Sequence, residues 1–301
     1  MSVIKESPGD RIFNLLNLLI LTIVLVIVLF PLIHIVAASV SDPDYVSTGK
    51  VLLFPRGFNI EGYKKVFQYK DIMIGYRNTI FYTIVGTLVN LAVTLPAAYA
   101  LSKKRLMGRN GLMFFMAFTM YFSGGMIPTY ILIRDLNLLN TYAVLVVSGA
   151  VNTTNLIICR TFFTSSIPSE LEEAAMIDGC STTRTFLTIV LPLSKALLGV
   201  MVLYYGIGHW NSYFNALIYL TDRSKVPLQL VLREILIEQE MASQMLESGA
   251  AVSDDLRKMQ MKLASLIKYS AIVVSSLPVL IVYPFLQKYF EKGVMLGSLK
   301  G

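Results

Sequence analysis

Charge is what this chain has least of. Only 15% of its 301 residues are Asp, Glu, Lys or Arg, where a soluble domain carries about a quarter. Cysteine and histidine are nearly absent, two of each, and Trp210 is the single tryptophan. Two cysteines give a disulfide framework almost nothing to build on. A metal site is equally short of ligands, because His34, His209, Cys159 and Cys180 are scattered along the chain. No Gly-x-x-x-x-Gly-Lys-Ser/Thr run occurs; Gly49-Lys50 is followed by Val51, so nothing here cradles ATP in the usual way. No Ser/His/Asp set or carboxylate pair stands in an active-site context. These gaps argue against an enzyme and leave any energy source to another subunit.

What fills the chain is apolar sequence. Hydrophobic residues make up 55% of it. Six stretches contain no charged residue at all: 12–41, 78–102, 110–133, 136–159, 196–221 and 269–287, of 30, 25, 24, 24, 26 and 19 residues. About 20 helical residues cross the roughly 30 Å of bilayer hydrocarbon. Backbone polar groups in lipid must be bonded within their own segment, so each stretch is expected to be helical. The prediction is one all-α membrane domain over 1–301 with six spans, near 12–40, 78–102, 110–133, 137–160, 194–220 and 268–288. The first run is longer than a signal-peptide core, and no small-residue cleavage pattern closes it before Asp42, so it reads as a retained span.

Six spans put both termini on one side. If that side is the cytosol, the inner segments hold 12 Lys and Arg against 14 in the longer outer ones. The positive-inside rule weights short loops. Lys103, Lys104, Arg105 and Arg109 crowd one tight connection, while 134–141 carries only Arg134. That contrast favours cytosolic termini; the six basic residues between Lys50 and Arg77 argue the other way. The inner side is reducing, so Cys159 and Cys180 are expected as thiols. A net charge of +7 reads as a membrane signature, since no basic cluster is interleaved with stacking aromatics as nucleic-acid binding needs.

Between the spans, 42–77 contains Pro43, Pro55 and Gly57 and then a mixed segment, Asn59–Ile74, with helical potential. The third span is interrupted at Ser123-Gly124-Gly125-Met126-Ile127-Pro128, which either kinks its outer end or lines a cavity. The outer connection 222–267 has Leu228, Val231, Leu232, Ile235 and Leu236 at helical spacing after Pro227, and Ser253-Asp254-Asp255 opens a second periodic run. It is expected to form a helical lobe, either a cap over the bundle or a docking surface for a soluble partner.

The inner connection, 164–192, is polar. Ser169 is a candidate N-cap and Glu172 completes a capping box. Glu170, Glu172 and Glu173 load the first turn with negative charge, which the helix dipole favours. Gly179 allows a stop, Thr182–Val190 can resume the helix, and Pro192 marks the start of the next span. Such a helix–turn–helix either tidies the connection or docks in a basic groove of a partner.

The run Glu173-Ala174-Ala175-x-x-Asp178-Gly179, then Phe186 and Ile189-x-Leu191-Pro192, resembles the EAA signature of permeases of ABC importers with the type I fold. Ile127-Pro128 through Leu138-Leu139-Asn140-Thr141, with Asn155-Leu156 and Arg160-x-Phe162-Phe163, resembles the carbohydrate permeases of that family. The tail from Lys288 to Gly301 resembles a branch for oligosaccharides, lipo-oligosaccharides or polysaccharide fragments. The similarity covers nearly the whole chain. Cys180 departs from a position where alanine is frequent, and Lys195-Ala196 stands where proline is common.

The resemblance implies a bacterial cell-membrane permease with no catalytic role. Glu173, Ala174, Ala175, Asp178, Gly179, Leu191 and Pro192 would belong to the coupling loop that docks on an ATPase. The partners implied are a second homologous permease, two ATPase subunits carrying ATP and Mg, and an extracellular or lipid-anchored solute-binding protein delivering the oligosaccharide. The tail would make a second contact with the ATPase pair.

The fifth span is rich in groups that bind sugars: Tyr205, His209, Trp210, Asn211, Tyr213 and Phe214. Asn152 and Asn155 form a second polar cluster in the fourth. Buried polar groups in a membrane face a cavity or another helix. The aromatics equally suit the interfacial belt, and the amides suit helix packing. Alternatives to sugar import are an importer permease for glycerol phosphate, peptide or another solute, a secondary transporter, or a membrane-embedded enzyme. The secondary transporter lacks the intramembrane carboxylates or inverted repeat it would need, and the enzyme lacks a catalytic constellation.

Overall fold

The computed structural model describes residues 7–247, 267–285 and 287. Helices and turns account for them, with one isolated antiparallel bridge between Ser41 and Phe58 and no strand among the described residues. They form two compact units, one of residues up to Tyr69 with Glu234–Ser276, the other of Lys70–Arg233 with the chain from Leu277.

In the first unit α1 (Pro8–Ser39) starts at a reciprocal cap: the Asp10 N–H donates to Ser7 Oγ and the Ser7 N–H to Asp10 Oδ2. This helix has a mean hydropathy of 3.1 in its most apolar window and is exposed along most of its length. A helix apolar on every side suits lipid or another helix. After α2 (Pro43–Ser47) the chain folds back on the end of α1. Arg56 N–H donates to Ser41 Oγ, Asn59 N–H to Val40 O, and the Leu52 carbonyl meets His34 Nδ1. The mixed segment forms α3 (Glu61–Gln68).

The second unit is built on α4 (Lys70–Ser102), which runs unbroken past Pro96. It begins eight residues before the charge-free stretch, because Lys70, Asp71 and Arg77 are accommodated in exposed or half-buried turns at its start. The expected third span is α5 (Arg109–Tyr121) and α6 (Met126–Asp135), bent by 114° at the Ser123–Gly125 interruption. That is a full break; a kink was the gentler expectation. The expected fourth span is likewise two pieces, α7 (Tyr142–Val147) and α8 (Thr153–Ser166). Asn90 donates both amide hydrogens across the gap, to Gly149 O at 2.6 Å and Ala150 O at 2.9 Å. A broken helix at membrane depth survives only where its freed carbonyls find partners inside protein.

The connection expected on the inner side comprises α9 (Ser169–Ile177), α10 (Thr182–Thr185), a π-helical turn Phe186–Val190 and α11 (Leu191–Leu193). An 85° bend at Ser194 leads into α12 (Lys195–Trp210). Then follow α13 (Phe214–Tyr219), a short 3-10 turn Arg223–Lys225, α14 (Leu228–Glu247) directly after Pro227, and α15 (Ile267–Phe285). In the first unit α15 contributes Tyr269, edge-on to His34 at 6.0 Å. The core of the second lies between α4, α8 and α12, where Ala98, Leu156, Cys159, Phe163, Val190 and Met201 are buried together. Cys159 and Cys180 are free thiols. Three described helices, α1, α4 and α15, are long and apolar enough to cross a membrane alone, and five segments qualify if each bent pair counts as one span. The expected N-cap at Ser253 and the C-terminal tail 288–301 lie outside the described residues.

Candidate functional site

One ion pair ties the polar connection 164–192 to the basic turn after α4. Pro168, not Ser169, occupies the N-cap of α9, and no side chain caps the helix. Glu172, expected to close a capping box, turns instead to Lys103, whose Nζ donates to its Oε1. The reason is burial. A buried carboxylate requires a charged partner, whereas amides at an exposed helix start are served by water. The Lys103 ammonium also lies 4.1 Å from the centre of the Tyr99 ring, a cation–π contact. Tyr99 in turn packs on Phe186 at 4.9 Å and edge-on to Phe163 at 5.9 Å.

Two more contacts tie the same basic turn to this region. Arg105 Nη1 approaches Met176 Sδ at 3.3 Å, and Arg160 Nε donates to Leu101 O at 3.1 Å. The turn read as a topology signal is thus a structural clamp. It also brings the turn 102–109 against the connection 160–195.

With Glu172 and Ala175 turned inward, α9 presents Glu173, Ala174, Ile177 and Asp178 outward. Ile177 is 86% exposed, a large apolar side chain at the tip of an acidic helix. The helix ends on Asp178, and Gly179 follows at φ +77° with no atom near its missing Cβ. The Cys180 N–H donates back to Ala175 O at 2.8 Å and the Gly179 N–H to Met176 O at 3.0 Å. These bonds close the last turn as glycine-terminated helices do. Leu191 and Pro192 stand just before the bend at Ser194, Leu191 against the core and Pro192 exposed. Sequence reasoning missed Ile177 and Lys103. Each carried a signal: an apolar residue inside a polar island, and a basic cluster denser than topology needs.

The candidate pathway residues separate into groups. The Tyr205 hydroxyl bonds Thr94 Oγ1 at 2.8 Å, and His209 Nε2 meets Asn90 Oδ1 at 2.6 Å. Both belong to the packed contact between α12 and α4. Trp210 is buried, edge-on to Tyr76 at 6.3 Å. It lines a cavity of about 480 Å³ between α4, α12 and α15, with Thr83, Thr87, Gly206, Pro278 and Tyr283. The walls are almost wholly apolar, and the hydroxyls of Thr83 and Thr87 are buried with no partner among the described residues. Asn211, Tyr213 and Phe214 are exposed at the end of α12, and the Arg233 guanidinium lies 5.5 Å from the Tyr213 ring centre. Asn152 caps α8 by accepting from the Asn155 N–H at 3.1 Å, while Asn155 is buried.

At the other end of α4 a second polar knot holds the connection 219–228. Asn78 donates to Ser224 O and Val226 O at 2.8 and 2.9 Å, and the Tyr82 hydroxyl to Lys225 O at 2.8 Å. The Leu228 N–H donates to Thr79 Oγ1 at 2.8 Å. Asn140 Oδ1 accepts from the N–H groups of Thr221 and Asp222, and its carbonyl from Lys225 Nζ. The Asp222 carboxyl is held down to about 2, first by the Ser224 hydroxyl, then by the Ser224 N–H and Lys225. No group of three or more His, Cys, Asp or Glu among the described residues could hold a metal ion.

Comparison with known proteins places this geometry in context. Residues 72–296 match the family described as binding-protein-dependent transport system inner membrane component. Protein LplC of Bacillus subtilis (strain 168) is 41% identical, over 98% of this chain and 97% of its own. The polygalacturonan/rhamnogalacturonan transport system permease protein YtcP of the same organism is 40% identical, over 97% of this chain and 99% of its own. A chain in the crystal structure of a bacterial ABC transporter involved in the import of the acidic polysaccharide alginate superposes with a TM-score of 0.84. It is 34% identical, with 96% of this chain and 100% of that chain covered.

Proposed function

Because the chain belongs to the binding-protein-dependent transport system inner membrane components, we propose that it is the permease subunit through which an ATP-driven importer moves oligosaccharides or polysaccharide fragments. The solute class follows relatives named for polygalacturonan, rhamnogalacturonan and alginate. In this reading the chain crosses the membrane six times, by α1, α4, α5 with α6, α7 with α8, α12 with α13, and α15, with both termini in the cytosol. A second, related permease completes the pathway, an extracellular solute-binding protein delivers the sugar, and ATP and Mg are bound by two partner ATPase subunits. The lipid-like exposure of α1 along its apolar length supports an extended surface for lipid and the sister permease.

One observation carries the proposal: the outward face of α9. Glu173, Ala174, Ile177 and Asp178 make a small, acidic and apolar plug on a helix whose other face is bolted to the bundle through Glu172. Small side chains allow close approach, Glu173 meets basic or backbone donors, and Ile177 fills an apolar notch. On the pathway, Asn211, Tyr213 and Phe214 suit a sugar best, because they are exposed side by side, whereas the exposed Asn152 is engaged in capping α8. The test is co-purification and uptake. A tagged permease is expected to bring down the ATPase pair, and Glu173→Lys with Gly179→Val to release it and stop uptake. Retention of both would sink the coupling role.

A further inference from the structure

We infer that α4 is a rod that couples the inner docking helix α9 to the outer connection 219–228, with Lys103 as its inner joint and Asn78 as its outer one. The inference rests on the coupling role proposed for α9. It starts from how α9 is attached. Both covalent routes out of α9 are interrupted. On one side the chain leaves α8 through the non-helical pair Ile167-Pro168. On the other it passes Gly179 at φ +77°, a π-helical turn and the 85° bend at Ser194 before α12 begins. Displacement of α9 is poorly transmitted along such a path, since hinges absorb it in backbone torsions.

The non-covalent route is stiffer. Glu172 is buried and paired to Lys103, which sits one residue past the end of α4 and against the Tyr99 ring on its last turn. From there α4 runs as one helix through Pro96, packed on α12 and α8. Asn78 lies 24 residues from Ser102, roughly 36 Å away at about 1.5 Å per helical residue. At that end Asn78, Thr79 and Tyr82 hold four backbone groups of the chain from Ser224 to Leu228. Between these two joints α4 is held in the bundle by Asn90, bonded to Gly149 O, Ala150 O and His209, and by Thr94, bonded to Tyr205. Two distant sites bias one equilibrium when both are attached to the same rigid element and that element has two positions. An outer event at 219–228 and an inner one at α9 are thereby linked through the same helix. Lys103 and Asn78 are positioning residues, acting through α4, and neither faces the docking partner.

The experiment uses the complete importer, with both permeases, the ATPase pair and the binding protein, in proteoliposomes. Lys103→Met is expected to keep the ATPase subunits and basal hydrolysis, while hydrolysis stimulated by loaded binding protein and uptake fall about tenfold, within the usual range of coupling between sites. The exchange Lys103→Glu with Glu172→Lys should recover most of that loss. Asn78→Ala should produce the same split between basal and stimulated rates from the far end. Wild-type stimulation in Lys103→Met overturns the inference. So does loss of the ATPase pair from that variant, which would make Lys103 part of the dock's shape alone. If Lys103→Met does not assemble, Asn78→Ala decides: unchanged stimulation there overturns the inference, and the basal–stimulated split sustains it. Glu173→Lys separates the two levels, because retained ATPase and uptake in that variant defeat the coupling role itself, whatever Lys103 does.

Discussion

The imidazole of His209 occupies the space above Gly86 where a β-carbon would stand, with the ring edge pressed against the α4 backbone. The same ring reaches Asn90 Oδ1, one turn along α4. Glycine here permits two helices to approach as closely as small residues allow in membranes. Gly86→Ala is expected to push His209 off Asn90 and to lower stability by about 1–3 kcal/mol, the usual penalty for overpacking. The sign is the informative part, because alanine in a helix otherwise gains about 1 kcal/mol over glycine. A thermal unfolding series in detergent on Gly86→Ala, His209→Ala and the double variant checks it. The double variant should recover part of the loss; additive losses would place the strain elsewhere.

Gly179 tests whether the end of α9 needs its backbone or its emptiness. No atom lies within 4 Å of a β-carbon built there, yet φ is +77°. Space is free and conformation is not. A left-handed backbone costs an L residue about 1–2 kcal/mol, least for Asn and most for β-branched side chains. Gly179→Asn should therefore keep near-normal uptake, and Gly179→Val should reduce it severalfold. Equal loss in both would point to a partner packed against the glycine itself.

Ile177 gives a prediction that folding cannot mimic. At 86% exposure it contributes nothing to the bundle, so Ile177→Asp should leave expression and melting temperature within the error of surface changes, about ±0.5 kcal/mol. Its cost should fall on assembly with the ATPase, measured by co-purification. A stable variant that still binds and imports would remove Ile177 from the dock.

How much of this could be read from sequence depended on the range of the interaction. Charge-free runs located the apolar segments, since lipid imposes length and composition on any helix that crosses it. Ser123–Pro128 marks an interruption and Pro192 the entry to a span, but neither pattern carries the size of the 114° and 85° bends. The start of α9 misled for a related reason. Ser169 and Glu172 have capping-box spacing, a local rule, and a long-range partner at Lys103 overrode it. His209 and Asn90 are 119 positions apart, and no local pattern pairs them.

Asp222 offers a pH test of the outer connection. Its carboxyl lies at about 2 against an ordinary 3.8, because the Ser224 hydroxyl, the Ser224 N–H and Lys225 all favour the ionised form. A group whose folded value is depressed stabilises the fold above its unfolded value and withdraws that support on acidification. The contribution of Asp222 is thus complete above 3.8 and is lost as the pH falls from there towards about 2. Hydrogen exchange at the Ser224 amide, corrected for intrinsic rate, should show protection declining over that interval. Asp222→Asn should show less protection at neutral pH and no such decline. Because Asp222 lies half-exposed in the connection, outside the core, the effect belongs to the loop and should leave the melting of the bundle unchanged. A wild-type amide equally protected on both sides of the interval would show that the bonds from Asn140, Asn78 and Tyr82 hold the connection without the carboxylate.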